Sequence, residues 1–220
     1  MDWPLLASLV DAERRQVLAS ARRRIFSRGE VVFHEGDPAD SMHLIASGRL
    51  AVKVSTPSGE AATLNILTPG DFFGELTLLR QGEQQRRSAT VQCLEASETL
   101  SLSAPSFHAL CDKHPTVERL LSVLLAKRVE ELSERLLEAL YVGLDRRVYR
   151  RLIELCAMYC ADDAAVMIPL TQDQLADLVG GRRPSVNQVL NKLAAQGLVS
   201  LGRGRIEVFD AAALRRRAGS

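Results

Sequence analysis

Between Arg28 and about Ser103 the chain is a succession of short alternating runs, each closed by a turn signal, and few folds accept that pattern. Val31–His34, His43–Ala46, Leu50–Val54, Ala62–Leu67, Thr90–Cys93 and Thr99–Leu102 read as strands. Gly29, Gly36-Asp37-Pro38, Gly48, Pro57-Ser58-Gly59 and Pro69-Gly70-Asp71 punctuate them at regular spacing. Many short strands with evenly spaced glycine turns predict a sandwich, jelly roll or barrel. Helical periodicity lies on both sides of this block. Residues 3–24 carry an apolar stripe of Leu5, Leu6, Leu9, Val10, Val17 and Leu18, and helix returns from about Pro105. The expected class is therefore α+β.

Val117 to Val142 reads as one long helix, with neither proline nor glycine inside it. Leu125, Val129, Leu132, Leu136 and Ala139 recur at spacings of four and three, the periodicity of a coiled-coil seam. Leu121, Leu124, Leu137 and Leu140 form a second apolar face suited to packing on the strand block. Two separate apolar faces on one helix favour a homodimer seam over burial within a single domain.

After Gly143-Leu144-Asp145 come a helix, Val148–Met158, and a strand, Val166–Ile168. Thr171 is placed to N-cap the next helix, and Gly180-Gly181 to end it in a left-handed turn. Pro184 then opens another helix, which makes a helix-turn-helix. In its second helix Val186, Val189, Leu190 and Leu193 form the inner stripe. Ser185, Asn187, Gln188, Asn191 and Lys192 are left outside. Amides and hydroxyls in such a row suit base edges and phosphates in a major groove, whereas a merely solvated face would be richer in Glu and Lys. Leu198–Leu201 and Ile206–Phe209 flank Gly202-Arg203-Gly204-Arg205 as a hairpin with a basic tip.

The chemistry of the strand block is concentrated at Phe73-Gly74-Glu75-Leu76 and Arg86-Arg87-Ser88-Ala89. Gly74 allows a ligand to approach the backbone, and the N–H groups of Glu75 and Leu76 can face an anion. The Glu75 carboxylate can accept from ribose hydroxyls, Arg87 offers a planar fork to a phosphate, and Ser88 adds a hydroxyl. An acid at a helix start and an arginine on a solvated strand are the bland alternative for the same residues.

These paired segments resemble the phosphate-binding cassette of cyclic-nucleotide-binding domains in bacterial catabolite activator proteins, the CRP/FNR family. With the dimer helix and the helix-turn-helix, the resemblance covers almost the whole chain. It implies a sensor β-roll over 1–115, a dimerisation helix over 116–144 and a winged helix-turn-helix over 145–220. It implies Glu75 on the ribose and Arg87 and Ser88 on the cyclic phosphate, with Arg86 the competitor for Arg87. Gly74, Leu76, Ala89, Val52, Leu64, Arg128, Leu132 and Ser133 would complete that site. Thr171, Arg182, Arg183, Ser185, Asn187, Gln188, Asn191, Lys192, Arg203 and Arg205 would meet DNA, with Arg203 and Arg205 on the wing. The implied partners are an inverted-repeat duplex, a second copy of the chain and RNA polymerase. The implied effector is a cyclic nucleotide, cAMP first and cGMP or another nucleotide next, with no obligatory cofactor.

Two departures from that pattern stand out, one on the long helix and one on the recognition helix. Leu132 and Ser133 stand where a Thr-Ser pair reads adenine, and Leu132 cannot hydrogen-bond an exocyclic amine. Arg183, Pro184 and Gln188 stand where an arginine, a glutamate and a second arginine read bases, so a different operator is expected. A regulator answering another signal, or active without one, is the alternative reading.

Composition agrees with a two-domain regulator. The 220 residues suffice for two cores. From Asp145 onward there are 12 Arg/Lys against 8 Asp/Glu, net +4. Residues 1–144 hold 16 against 19, net −3, as a sensor joined to a nucleic-acid-binding module would. No run approaches the ~18 apolar residues of a membrane span, and no signal peptide is legible at Met1–Leu6. Cys93, Cys111, Cys156 and Cys160 form no C-x-x-C, which disfavours an iron–sulfur sensor and suits a reducing cytoplasm. His108, Cys111 and His114 lie close in sequence without a triad order or ligand spacing, so an enzyme is not expected, and neither catalytic residues nor metal ligands are assigned. A nucleotide-binding regulatory subunit would leave the helix-turn-helix unexplained.

Overall fold

The computed structural model describes residues 3–56, 61–79, 86–159 and 165–219, so Pro57-Ser58-Gly59, the polar break before Arg86 and Cys160 lie outside the described residues. The expected helix over 3–24 is three elements. A 3-10 turn at Pro4–Leu6 and helix α1 (Asp11–Ser20) are followed by strand β1 (Arg22–Phe26). The reason lies in the side chains: Arg22, Arg24 and Phe26 alternate along an extended chain, a period-two pattern that three arginines disguise as polar.

Strands β2 (Val31–Phe33), β3 (Ser41–Ser47), β4 (Leu50–Ser55), β5 (Ala61–Leu67) and β6 (Phe72–Phe73) lead to the short helix α2 (Glu75–Leu78). β7 (Thr90–Cys93) and β8 (Ser97–Ser103) complete the roll. Its two four-stranded sheets run β1-β8-β3-β6 and β2-β7-β4-β5. Between them lies one core, built on Phe26, Ile45, Leu50, Leu67, Phe73, Val91 and Cys93. The first sheet also buries its other face. Met42, Leu44, Phe72 and Leu102 pack there with Trp3, Leu5, Leu6, Phe107 of helix α3 (Ala104–Lys113), and Val117 and Leu121 of helix α4 (Pro115–Tyr141). The Trp3 indole donates to the Ile45 carbonyl at 3.0 Å, which anchors the N-terminal segment.

α4 starts two residues earlier than its periodicity suggests, with Pro115 in the first turn. Leu121 is buried and Leu124 packs on the core as expected, but Leu137 and Leu140 stay exposed. Leu125, expected in the seam, partly covers this chain's own core.

The second unit holds α5 (Leu144–Tyr159), β9 (Val166–Ile168), α6 (Gln172–Val179), α7 (Arg183–Ala195), β10 (Val199–Gly202), β11 (Arg205–Val208) and α8 (Ala211–Gly219), with sheet order β10-β11-β9. α8 was not anticipated from the sequence. Leu214 is fully buried within it, and Asp210 caps it by accepting from the Ala213 N–H at 2.7 Å.

His43 is the exceptional titratable group of the roll interior. Its ring stacks on Phe73, centroids 4.9 Å apart, and Nδ1 meets Thr99 Oγ1 at 3.0 Å. Burial, then Arg87 and Arg24, push its pKa down to about 3 against the weaker pull of Asp40. The unfolded chain, with a histidine pKa near ~6.5, binds a proton that the folded chain refuses. Stability contributed by neutral His43 is therefore present above that value and lost as pH falls toward 3. Denaturant titrations should show wild type losing about 1.4 kcal/mol per pH unit more than His43→Phe across that window. Parallel curves for the two proteins would refute the assignment.

Candidate functional site

The chain leaves β6, turns through Gly74 and enters α2. Gly74 has φ +86°, and a Cβ there would lie 2.6 Å from Arg87 Nη1 and 3.1 Å from the Ser41 carbonyl. Both the conformation and the space require glycine. Arg87 fills that space. Nη1 donates to the carbonyls of Ser41 (2.6 Å) and Gly74 (3.2 Å), and Nη2 to Ser41 Oγ (3.2 Å) and Asp40 Oδ1 (3.5 Å). The guanidinium lies over the Phe33 ring at 4.1 Å, and its Nε is buried with no acceptor among the described residues. Burial holds its pKa below the ordinary arginine value, opposed by Asp40, Asp37 and Glu75.

Glu75, 2% exposed, accepts from Arg128 Nη1 at 2.9 Å. Arg128 also donates to the Phe72 carbonyl at 2.7 Å and stacks on the Phe72 ring at 4.4 Å. Burial raises the Glu75 pKa against the opposing pull of Arg128 and Arg87. Arg86, the competitor, is exposed and donates to the Gly36 carbonyl.

These side chains enclose a cavity of about 90 Å³. The sequence-derived residues Gly74, Glu75, Leu76, Arg87, Ser88, Ala89, Val52 and Arg128 line it. Leu64 does not; Leu67, three residues further along β5, does. Phe33, Phe73, Thr77 and Val91 were missed. For Phe33, Phe73 and Val91 the signal was strand alternation, which marks them as inward but not as lining a cavity; Thr77, on α2, gave none. Leu132 and Ser133 are exposed on α4.

His108, Cys111 and His114 do not converge. His108 Nε2 meets the Leu78 carbonyl at 3.0 Å, and His114 Nε2 lies 3.7 Å from Glu13. Burial pushes the Cys111 thiol up to about 11, the opposite of an activated nucleophile.

In the second unit the helix-turn-helix forms as the spacing predicts. Thr171 Oγ1 accepts from the Gln174 N–H at 3.1 Å and Gln174 Oε1 from the Thr171 N–H at 2.8 Å, a complete capping box. Gly180 closes α6 at φ +61°, and Arg147 of α5 donates to the Val179 carbonyl at 2.7 Å. On α7 the inner stripe is buried. Arg182, Arg183, Ser185, Gln188, Asn191 and Lys192 are exposed, as are Arg203 and Arg205 at the hairpin tip. Asn187 departs from the outer face, being half-buried with Oδ1 buried and without a hydrogen-bond partner among the described residues. Arg183 Nε is held 2.9 Å from Asp173, a contact across the turn that periodicity does not encode.

On α4 a run of large apolar side chains is exposed among the described residues. Val123, Val129, Leu136, Leu137 and Leu140 are each at least 57% exposed, and Leu132 43%. Ala139 is exposed beside them.

Residues 23–114 match the cyclic nucleotide-binding domain family, and residues 146–217 the Crp-like helix-turn-helix domain family. The chain is 33% identical over 211 residues to the cyclic AMP receptor protein of Thermus thermophilus, covering 96% of this chain and 94% of that one. It is 30% identical over 182 residues to the cAMP-activated global transcriptional regulator CRP of Escherichia coli O157:H7, covering 81% and 85%. Among solved structures, the Thermus thermophilus catabolite activator protein superposes with TM-score 0.55 at 32% identity, covering 98% of each chain. A CRP/FNR regulator of the same organism superposes with TM-score 0.76 at 25% identity, covering 90% of this chain and 99% of that one. A β-roll with a glycine-arginine cavity, a long helix and a Crp-type helix-turn-helix, matched over nearly their whole length, show that the chain belongs to the CRP/FNR family of DNA-binding transcription regulators.

Proposed function

We propose that the protein is a homodimeric transcription regulator whose affinity for an inverted-repeat duplex is set by a cyclic nucleotide, cAMP first, bound in the β-roll. The observation that carries this reading is Arg87, a buried guanidinium set among Gly74, Glu75, Ser88 and Ala89 in one cavity. The residues suit the ligand. Arg87 supplies a charged fork for the phosphate, Ser88 a hydroxyl, and Glu75 a carboxylate for ribose hydroxyls. At about 90 Å³ the half-open cavity is below the roughly 300 Å³ where small-molecule sites begin, so a nucleotide seated fully within it requires the wall to move. A ligand that requires such movement selects one conformation over another, and differential affinity of that kind is what allosteric control consists of. The names of the relatives from Thermus thermophilus and Escherichia coli refer to cAMP, which puts that nucleotide first. Leu132 offers no polar group to adenine, so weak discrimination between cAMP and cGMP is expected.

On this reading 1–115 senses, 116–144 dimerises and 145–220 binds DNA, in the cytoplasm, with RNA polymerase as the protein partner and without enzymatic activity. Arg183 and Gln188 read bases near the start of α7, while Thr171, Arg182, Ser185, Asn191, Lys192 and the wing arginines Arg203 and Arg205 hold phosphates. The buried Oδ1 of Asn187 favours a packing role over base reading.

Calorimetry with cAMP and cGMP, repeated with duplexes recovered by selection from random DNA, tests the reading. Arg87→Ala should weaken nucleotide binding by roughly 2–4 kcal/mol and abolish the nucleotide's effect on DNA affinity. Absence of any cyclic-nucleotide heat at millimolar concentration would refute the ligand; failure to recover an inverted repeat would refute the operator geometry.

A further inference from the structure

A second cavity, about 480 Å³, opens at the mouth of the roll and shares Arg87 and Phe33 with the first. It arises because the inner face of the first sheet changes character along its strands. Toward one end that face carries Phe26 and Ile45. Toward the other, register sets Arg22 beside Ser101, Ser101 beside His43, and Ser103 beside Ser41. The mouth is thus walled by Arg22, Arg24, the hydroxyls of Ser41, Ser101 and Ser103, and the edge of Arg87.

Of the cations there, Arg87 reaches Asp40, and the other two are not paired locally. Arg23, facing the other way, holds Glu98 through two 2.6 Å contacts. Arg22 and Arg24 make no hydrogen bond or ion pair among the described residues; Arg24 only lies 5.6 Å over the Phe26 ring. The two carboxylates in the wall are already engaged. Asp37 accepts from the His34 N–H at 2.8 Å, and Asp40 from Ser41 Oγ at 2.8 Å and Arg87 at 3.5 Å. Arg87 itself, its side chain 4% exposed, has a buried Nε with no acceptor among the described residues. Two guanidiniums without partners among the described residues, beside the Ser101 hydroxyl and the hydroxyls of Ser41 and Ser103, which are also bonded to Asp40 and Ser106, make a donor-rich cavity of ordinary ligand size.

We propose that the mouth of the roll is a second binding site, for a small hydroxylated anion whose phosphate or carboxylate sits between Arg22 and Arg24 and whose hydroxyls meet Ser41, Ser101, Ser103 and Asp40. Planar guanidiniums suit either anionic group, and serine hydroxyls can both donate to and accept from a polyol. Large apolar or cationic molecules do not fit a wall of this charge. The site is distinct from the nucleotide cavity, which lies on the Gly74 and Glu75 side of Arg87, and its existence does not depend on a nucleotide binding there.

The test is calorimetric titration of the full-length protein with glucose 6-phosphate, gluconate and inorganic phosphate, on wild type, the double variant Arg22→Gln/Arg24→Gln, and Arg119→Gln, an exposed arginine on α4, as a control for surface cations. Saturable binding of glucose 6-phosphate or gluconate is expected, weakened at least ~10-fold in the double variant and unchanged in the control. Whichever of the two binds more tightly identifies the anionic group. Circular dichroism of the double variant should match wild type, since both side chains are exposed. Absence of saturable binding, equal binding by wild type and the double variant, or equal loss in the control would overturn the proposal. So would inorganic phosphate binding as tightly as the hydroxylated anions, which would reduce the mouth to a site for an adventitious ion only.

Discussion

Replacing Val129 with aspartate is expected to leave the protein monomeric at micromolar concentration, with the chain still folded. Val129 is 62% exposed in the single chain and is a member of neither core cluster of the first unit. It lies in the run Val129, Leu132, Leu136 and Ala139, whose four-and-three spacing puts these side chains on one stripe of α4. Apolar surface of that extent on one helix calls for a partner. In a symmetric seam the aspartate would appear twice, placing two like charges in apolar surroundings. An uncompensated buried charge costs about 3–5 kcal/mol, and each dimer would carry two. Sedimentation velocity on wild type and variant checks this, with circular dichroism confirming an intact fold. A wild type that is monomeric at those concentrations, or a variant that remains dimeric, would remove the seam.

Arg128→Leu should destabilise the first unit by about 3–5 kcal/mol, because it strands the Glu75 carboxylate. Glu75 is 2% exposed and Arg128 is its partner at 2.9 Å. The loss must depend on pH. Burial already raises the Glu75 pKa, and removing Arg128 takes away the strongest opposing influence. With the folded pKa above the unfolded one, the folded chain binds the extra proton. The contribution to stability is then present below the ordinary carboxylate range and lost as pH rises through the folded value. The variant should therefore be least stable at high pH, and Arg128→Leu/Glu75→Gln should recover most of the loss. Urea titrations at several pH values decide it. A pH-independent loss, or no recovery in the double variant, would show that Arg128 acts through packing on Phe72 alone.

Much of this architecture was legible because hydrophobic period and turn chemistry act locally. Thr90–Cys93 and Val166–Ile168 are strands over the residues their patterns indicated, and the Thr171 and Gly180 caps formed as their side chains dictate. β1 was hidden because Arg22 and Arg24 face a polar cavity where an ordinary strand would present apolar residues. β6 was hidden because two residues cannot show a period. The same division runs through the site. Gly74 and Glu75 announce themselves through adjacency, whereas the Ser41, Asp40 and Phe33 surroundings of Arg87 come from 46 to 54 positions away and leave no mark on local sequence. Asn187 and Asp173 make the same point in the second unit. A helical face can be read from spacing, but not the packing or ion pair that withdraws a side chain from it.

The first sheet of the roll is shared property. Along β3 and β8, Met42, Leu44 and Leu102 belong to the core under the helices, while His43, Ile45 and Thr99 face the interior of the roll. A slip of one residue would drive leucines into the polar mouth and hydroxyls into the helical core, so both layers specify one register. Neither layer can open without exposing the other's backing. The amides of β3 and β8 should therefore exchange with solvent only through unfolding of the whole sensor unit, as a single foldon in which the helical cover and the roll melt together.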